Sequence, residues 1–330
     1  MLRGINAMKL LLENWKKYII EQDVGQPEQA VANQVDQIIK LPYQQFVTKL
    51  SSVASDPKVQ AVLQHGLKDG EPNDEKVQIT EMAIPVTKLK PTQNEIDING
   101  SLKWAIASVD SLMNLLSDDV KVLGKPIVTA NNGTLVIDGH HRWSQAYCIN
   151  PEAKMKAINL NIQGASAGAY LKVTQMAIAV DIKKVPTQTV QGINLLDSSL
   201  SKETILNYVL NKAPKQVLIE CANKNSELYK AIQAKIGGSV NAKPQSLQEQ
   251  DADANSIQAG ANLLTQLIYN NVLKMRKTSQ PVKPASKRDF MPQTDDAKNW
   301  TQIASSGMVN FKDPKNISGV KQVTPTIPKK

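Results

Sequence analysis

Apolar residues recur at helical spacing through the first part of the chain. They fall at Leu10, Leu11, Trp15, Tyr18 and Ile19, then at Val31, Val35, Ile38 and Ile39, then at Phe46, Val47 and Leu50. Breaks lie at Gly25-Gln26-Pro27, at Pro42 and at Asp56-Pro57. The spacing predicts amphipathic helices over 8–66. A polar run with Gly and Pro, Lys68 to Asp74, reads as a linker and closes a helical N-terminal region, 1–70.

From residue 77 the texture changes. Val77-Gln78-Ile79 and Ile84-Pro85-Val86 read as short extended pieces, followed by a polar loop, Lys90 to Glu95. Leu102 to Leu116 has helical periodicity. Pro126-Ile127-Val128-Thr129 and Thr134-Leu135-Val136-Ile137 are apolar, β-rich runs around Asn131-Asn132-Gly133. That pattern predicts a hairpin. Its second strand runs into Asp138-Gly139, and helical spacing resumes from Trp143 to Ile149. Ala157 to Ile162 is a further strand, which completes a core over 77–165.

The region 166–275 is mainly helical. Ser201 is placed to cap Lys202–Asn211, and Leu263, Leu264, Leu267, Ile268, Val272 and Leu273 mark another amphipathic helix. The polar stretch between Gly237 and Asn255 reads as a loop. Beyond Arg276 come six prolines, few apolar residues and scattered lysines, so 276–330 is expected to be a disordered basic tail. Together these segments predict an α+β protein: a small mixed sheet with helical flanks.

Composition narrows this only a little. Hydrophobic residues make up 41% but aromatic residues only 4%, so the core must rest on aliphatic side chains. Two cysteines, Cys148 and Cys221, offer neither a disulfide framework nor zinc spacing and imply reduced thiols in a cytoplasmic setting. No apolar run is long enough to span a membrane, and the N-terminus lacks the uninterrupted apolar stretch of a signal peptide. The net charge is +9. From Lys277 to Lys330 ten Lys/Arg face four Asp/Glu, so most of the surplus is a property of the tail. Such a tail suits DNA or another anionic surface.

The chemistry concentrates at Asp138-Gly139-His140-His141-Arg142. Two of the three histidines are here, and Arg142 is the only arginine between residues 4 and 275. A guanidinium can hold two phosphate oxygens in its planar fork. A strand ending at Asp138-Gly139 and opening a helix at about His141 brings backbone N–H groups and the positive helix end to one point, where anions bind. Gly139 permits positive φ or close approach of a ligand. Asp138 can serve as metal ligand, base or helix cap. His140 and His141 can donate to phosphate or move protons near neutral pH. A capped helix with surface histidines explains the same residues.

Lys125 to Val128, the hairpin, and Leu135 to Trp143 together resemble the core signature of the ParB/sulfiredoxin superfamily. Ile84 to Gln93 resembles that family's first strand and loop, in the same order and spacing. The resemblance covers roughly 77–165. Its members include CTP-hydrolysing partition proteins, sulfiredoxins, nucleotide-dependent free-serine kinases, and phage or plasmid proteins known as ParB-like nucleases. Where sulfiredoxin has its catalytic cysteine, this chain has His140. Where partition proteins have Gly-Glu-Arg-Arg followed by a further arginine, it has His140, His141, Arg142 and Ser144, with fewer basic side chains. It is therefore most similar to the kinase-like and phage ParB-like branch.

The resemblance implies Glu95 as the base, with Asp97 as a nearby substitute, and Thr92, Gln93 and Lys125 in the same pocket. Gly139, His140, His141 and Arg142 would hold the phosphates of ATP, ADP or CTP, and Asp138 with Glu95 would hold Mg²⁺. Three functions follow as expectations. The first is a nucleotide-phosphate-binding phosphotransferase or NTP hydrolase. The second is a DNA-binding protein or nuclease that uses the tail. The third is a structural, virion-associated protein whose helical flanks engage a protein partner, placed in the host cytoplasm if viral.

Overall fold

A computed structural model describes residues 78–161, 192–237 and 252–282 continuously, with isolated positions between 37 and 49 and between 167 and 178. The helices expected over 8–66 lie largely outside the described residues, and the tail beyond Val282 lies outside them entirely. Contacts sort the chain into two units, one holding Ile79–Asn161 with Gln188–Met291, the other Met1–Gln78, Ile162–Thr187 and Pro292–Lys330. The helices after 202 thus share a unit with the sheet. Few residues of the other unit are described; Phe46, Tyr170 and Leu171 among them are buried.

The fold is α+β. Among the described residues the strands are β1 (Gln78–Pro85), β2 (Lys90–Pro91), β3 (Ile127–Ala130), β4 (Leu135–Asp138) and β5 (Lys154–Asn161). The helices are α1 (Ile98–Leu102), α2 (Val109–Leu116), α3 (His140–Ile149), α4 (Lys202–Lys212), α5 (Lys215–Ala222), α6 (Glu227–Ile236) and α7 (Ala252–Thr278). The strands form one sheet in the order β1-β5-β3-β4-β2. β3 pairs antiparallel with β4 and parallel with β5, and β2 runs parallel to β4.

The expected hairpin is β3–β4. Asn131, Asn132 and Gly133 take φ of 53°, 53° and 73°, the left-handed region that Asn and Gly tolerate best. Asn159 of β5 locks the turn, its side-chain oxygen accepting from the Gly133 N–H at 2.9 Å. β3 is buried at every position and β4 at all but its last, so their apolar runs are covered on both faces.

Three expectations shift. Gln78-Ile79 and Ile84-Pro85 belong to one strand, β1, and Val86 opens a 3-10 turn, Val86–Lys88, while Val77 lies outside the described residues. The 102–116 periodicity is split, because Ser108 accepts from the Ser111 N–H and starts a new helix, α2. Ala105 and Ile106 stay buried between the two helices, which is why the apolar spacing carries through the break. The polar stretch expected as a loop to Asn255 gives way to helix at Ala252.

Helix α3 lies at the centre of the packing. Trp143 is fully buried and its indole N–H donates to the Val86 carbonyl at 2.9 Å. Its ring meets Tyr147 edge-on at 5.9 Å, a preferred aromatic geometry. Asn271 of α7 donates to the carbonyls of Cys148 and Ile149 at 2.9 and 3.3 Å, satisfying groups that the helix end leaves unpaired. The predicted cap holds on α4, where Ser201 accepts from the Thr204 N–H at 3.1 Å.

Candidate functional site

β4 delivers the chain into Gly139, which takes φ 93° and forms the N-cap of α3 without any side-chain cap. A Cβ there would stand 2.7 Å from Ile127 Cγ2 and 2.9 Å from Arg142 Nη2. Both the backbone angle and the crowding therefore demand glycine. The first N–H groups of α3 belong to His140, His141 and Arg142, and helices give no internal partner to these positions.

His140 faces inward and is 5% exposed. Its Nε2 accepts from the Thr92 backbone N–H at 3.1 Å. The Thr92 hydroxyl donates to the Val136 carbonyl at 2.7 Å and lies 3.3 Å from the same nitrogen. Nε2 is thus unprotonated, and the ring carries its proton on Nδ1. Burial, reinforced by His141 and Arg142, holds the His140 pKa down at about 3. The ring is therefore a neutral strut between β2 and α3. The proton relay expected of it near neutral pH is not available, because desolvation disfavours its charged form.

Arg142 acts as a bracket. Nη1 donates to the carbonyls of Lys125 and Pro126, each at 2.7 Å, and Nη2 donates to Asp138 Oδ2 at 3.0 Å. Three of its five N–H hydrogens tie the entry to β3 to the end of β4; two remain. The fork expected to clasp phosphate is thus partly spent on the fold. Lys125 contributes its carbonyl, while its side chain is exposed. His141 packs on Gly100 of α1, where an added Cβ would lie 2.7 Å from the imidazole.

The loop from Thr92 to Asp97 is held from the far side by residues 193–195. Ile96 N–H donates to Asn194 Oδ1 at 2.8 Å, Ile98 N–H to Ile193 O at 2.8 Å, and Leu195 N–H to Ile96 O at 2.8 Å. Asp97 caps α1, with Oδ2 accepting from the Gly100 N–H at 2.8 Å, which makes it a structural carboxylate. Glu95 is half-buried, and its side chain enters no hydrogen bond or ion pair. Gln93 Oε1 is buried without a partner. Among the described residues, no three His, Cys, Asp or Glu side chains gather as metal ligands.

The structure therefore joins Thr92 to His140 and Asp138 to Arg142, and brings neither Glu95 nor Gln93 into bonded contact with them. It also shows a cavity of about 570 Å³ lined by Arg142 together with Gln145, Trp104, Asp110 and Asn114. Sequence reasoning passed over these residues. Two signals pointed to them: Gln145 lies one helical turn beyond Arg142, and Trp104 is a large ring in a chain with few aromatic residues. No helix among the described residues is long and apolar enough to cross a membrane. Compared with known proteins, the chain matches no family model, no curated protein and no solved structure.

Proposed function

We propose that this chain is a nucleotide-phosphate-binding protein of the ParB/sulfiredoxin kind, working as a nucleotide-dependent phosphotransferase or NTP hydrolase. One observation carries the reading. The N-terminus of α3, opened by a left-handed glycine and lacking a side-chain cap, is tied through His140 to the Thr92 loop. The two stretches that carry the family resemblance thus meet at one anion-attracting point. The phosphates would rest on the backbone N–H groups at 140–142, with the two remaining guanidinium hydrogens of Arg142 alongside.

Of the expected carboxylates, Asp138 is already neutralised by Arg142 at 3.0 Å, and Glu95 is left to orient a nucleophile or meet a cation. Mg²⁺ in such sites needs only one or two carboxylates besides the phosphates themselves, and with that donor set it would neutralise charge on the transferred group. Two buried free thiols fit a reducing, cytoplasmic setting.

The test is the melting temperature of the full chain with ATP, ADP or CTP, with and without Mg²⁺, followed by product analysis. A ligand of the folded state raises it. No shift and no calorimetric heat with any of them refutes the reading and favours a scaffolding role. The tail supports a second reading, DNA binding, through its six-charge surplus over 277–330. Affinity for DNA that falls steeply with salt in the full chain, and vanishes without the tail, would establish it.

A further inference from the structure

The cavity beside the α3 N-terminus has features that a surface dent does not require. Its volume, about 570 Å³, lies within the range of small-molecule sites. Gln145 is only 9% exposed, lines the cavity, and its carboxamide makes no hydrogen bond within the protein. Its amide is open to the cavity rather than enclosed without a partner. Trp104, at 65% the most exposed of the large apolar residues among those described, borders the same space. The Lys103 ammonium sits 5.1 Å from the indole centroid, yet Lys103 does not line the cavity.

The donor and acceptor pattern narrows the ligand. Gln145 and Asn114 each present one carbonyl acceptor and one amide donor, while the Asp110 carboxylate only accepts. An indole offers a flat face on which a heteroaromatic ring stacks. Arg142 borders this cavity and is also the third residue of α3, so one side chain spans the cavity and the anion-attracting turn.

We infer that this cavity binds the base of the nucleotide, stacked on Trp104, and selects a base with an amino group beside an unprotonated ring nitrogen on its pairing edge, as in adenine and cytosine. Gln145 and Asn114 read that edge as donor and acceptor together, and Asp110 takes a hydrogen of the amino group. The inference rests on the nucleotide-phosphate reading above.

Calorimetry on the full chain with Mg²⁺, using ATP against ITP, CTP against UTP, and inorganic triphosphate, tests it. ITP and UTP replace the amino group by a carbonyl. ATP and CTP are expected to bind about tenfold more tightly than their oxo counterparts. Trp104→Ala and Gln145→Leu should each weaken ATP by about tenfold, leave inorganic triphosphate unchanged, and melt like the parent, while Trp104→Phe retains most of the affinity.

Equal affinity within both base pairs, or an ATP affinity unmoved by both variants, overturns the inference. Inorganic triphosphate binding as tightly as ATP also overturns it, while leaving the phosphate reading intact. Adenosine binding that depends on Trp104, with no binding of triphosphate, supports the base site and removes the phosphate site. No binding of any probe overturns both.

Discussion

Replacing His140 with Gln keeps a side chain able to accept from the Thr92 N–H and removes a titratable group. In the folded protein the imidazole titrates at about 3, against an ordinary 6.5. Between those values the unfolded chain binds a proton that the folded one refuses. Stability therefore rises with pH across this window: it is complete above 6.5 and is lost on acidification towards 3. Each unit is worth about 1.36 kcal/mol, so going from about pH 7.5 to about pH 5 costs the parent about 2 kcal/mol through this residue alone. Urea unfolding at the two pH values, on parent and His140→Gln, isolates that share because every other group is common to both. The slope with urea should match between the proteins, so that midpoints report stability. The parent should lose about 2 kcal/mol more than the variant. Equal losses would mean that the imidazole is not buried as a neutral base.

Gly139→Ala puts a Cβ at positive φ and within 2.7 Å of Ile127 Cγ2, so it should cost about 2 kcal/mol, read as a lower urea midpoint; an unchanged midpoint would show that the turn relaxes freely. Both thiols are buried and burial pushes each up to about 12. The native chain should therefore resist an aromatic disulfide reagent at about pH 8 and release its thiol signal only on denaturation; equal rates in the two states would contradict the packing of α3 and α5.

Local signals in the sequence were legible where local physics decides the outcome. The left-handed residues of the β3–β4 turn, the glycine that begins α3 and the Ser201 cap each act over a few positions, and the residue types announce them. Ser108 shows the limit. The apolar period runs on through it because Ala105 and Ile106 are buried by tertiary contacts, and only the hydroxyl cap marks the break. Around Gly139 the residue types are legible in the sequence, but the bonds they make in the fold are not. Nothing near Arg142 in the chain says that the carbonyls of Lys125 and Pro126 will occupy its fork, since the fold brings them there from 17 and 16 residues away. His140 is comparable: its partner lies 48 residues earlier, and that pairing turns a potential acid into a neutral strut. The cavity was hidden for the same reason, because α2, α3 and the Trp104 turn assemble it only in three dimensions.

The Thr92–Glu95 loop is fastened by parts of the chain made much later. Ile96 meets Asn194 across 98 residues, and Val282 donates its N–H to the Pro91 carbonyl at 3.1 Å. A nascent chain emerging from the ribosome can form the β3–β4 hairpin and α3 early, since those contacts are near in sequence, while the loop waits for its distant ties. Synthesis thus runs in an order that leaves the Pro91–Ile96 stretch without its distant ties until Asn194 and then Val282 have emerged.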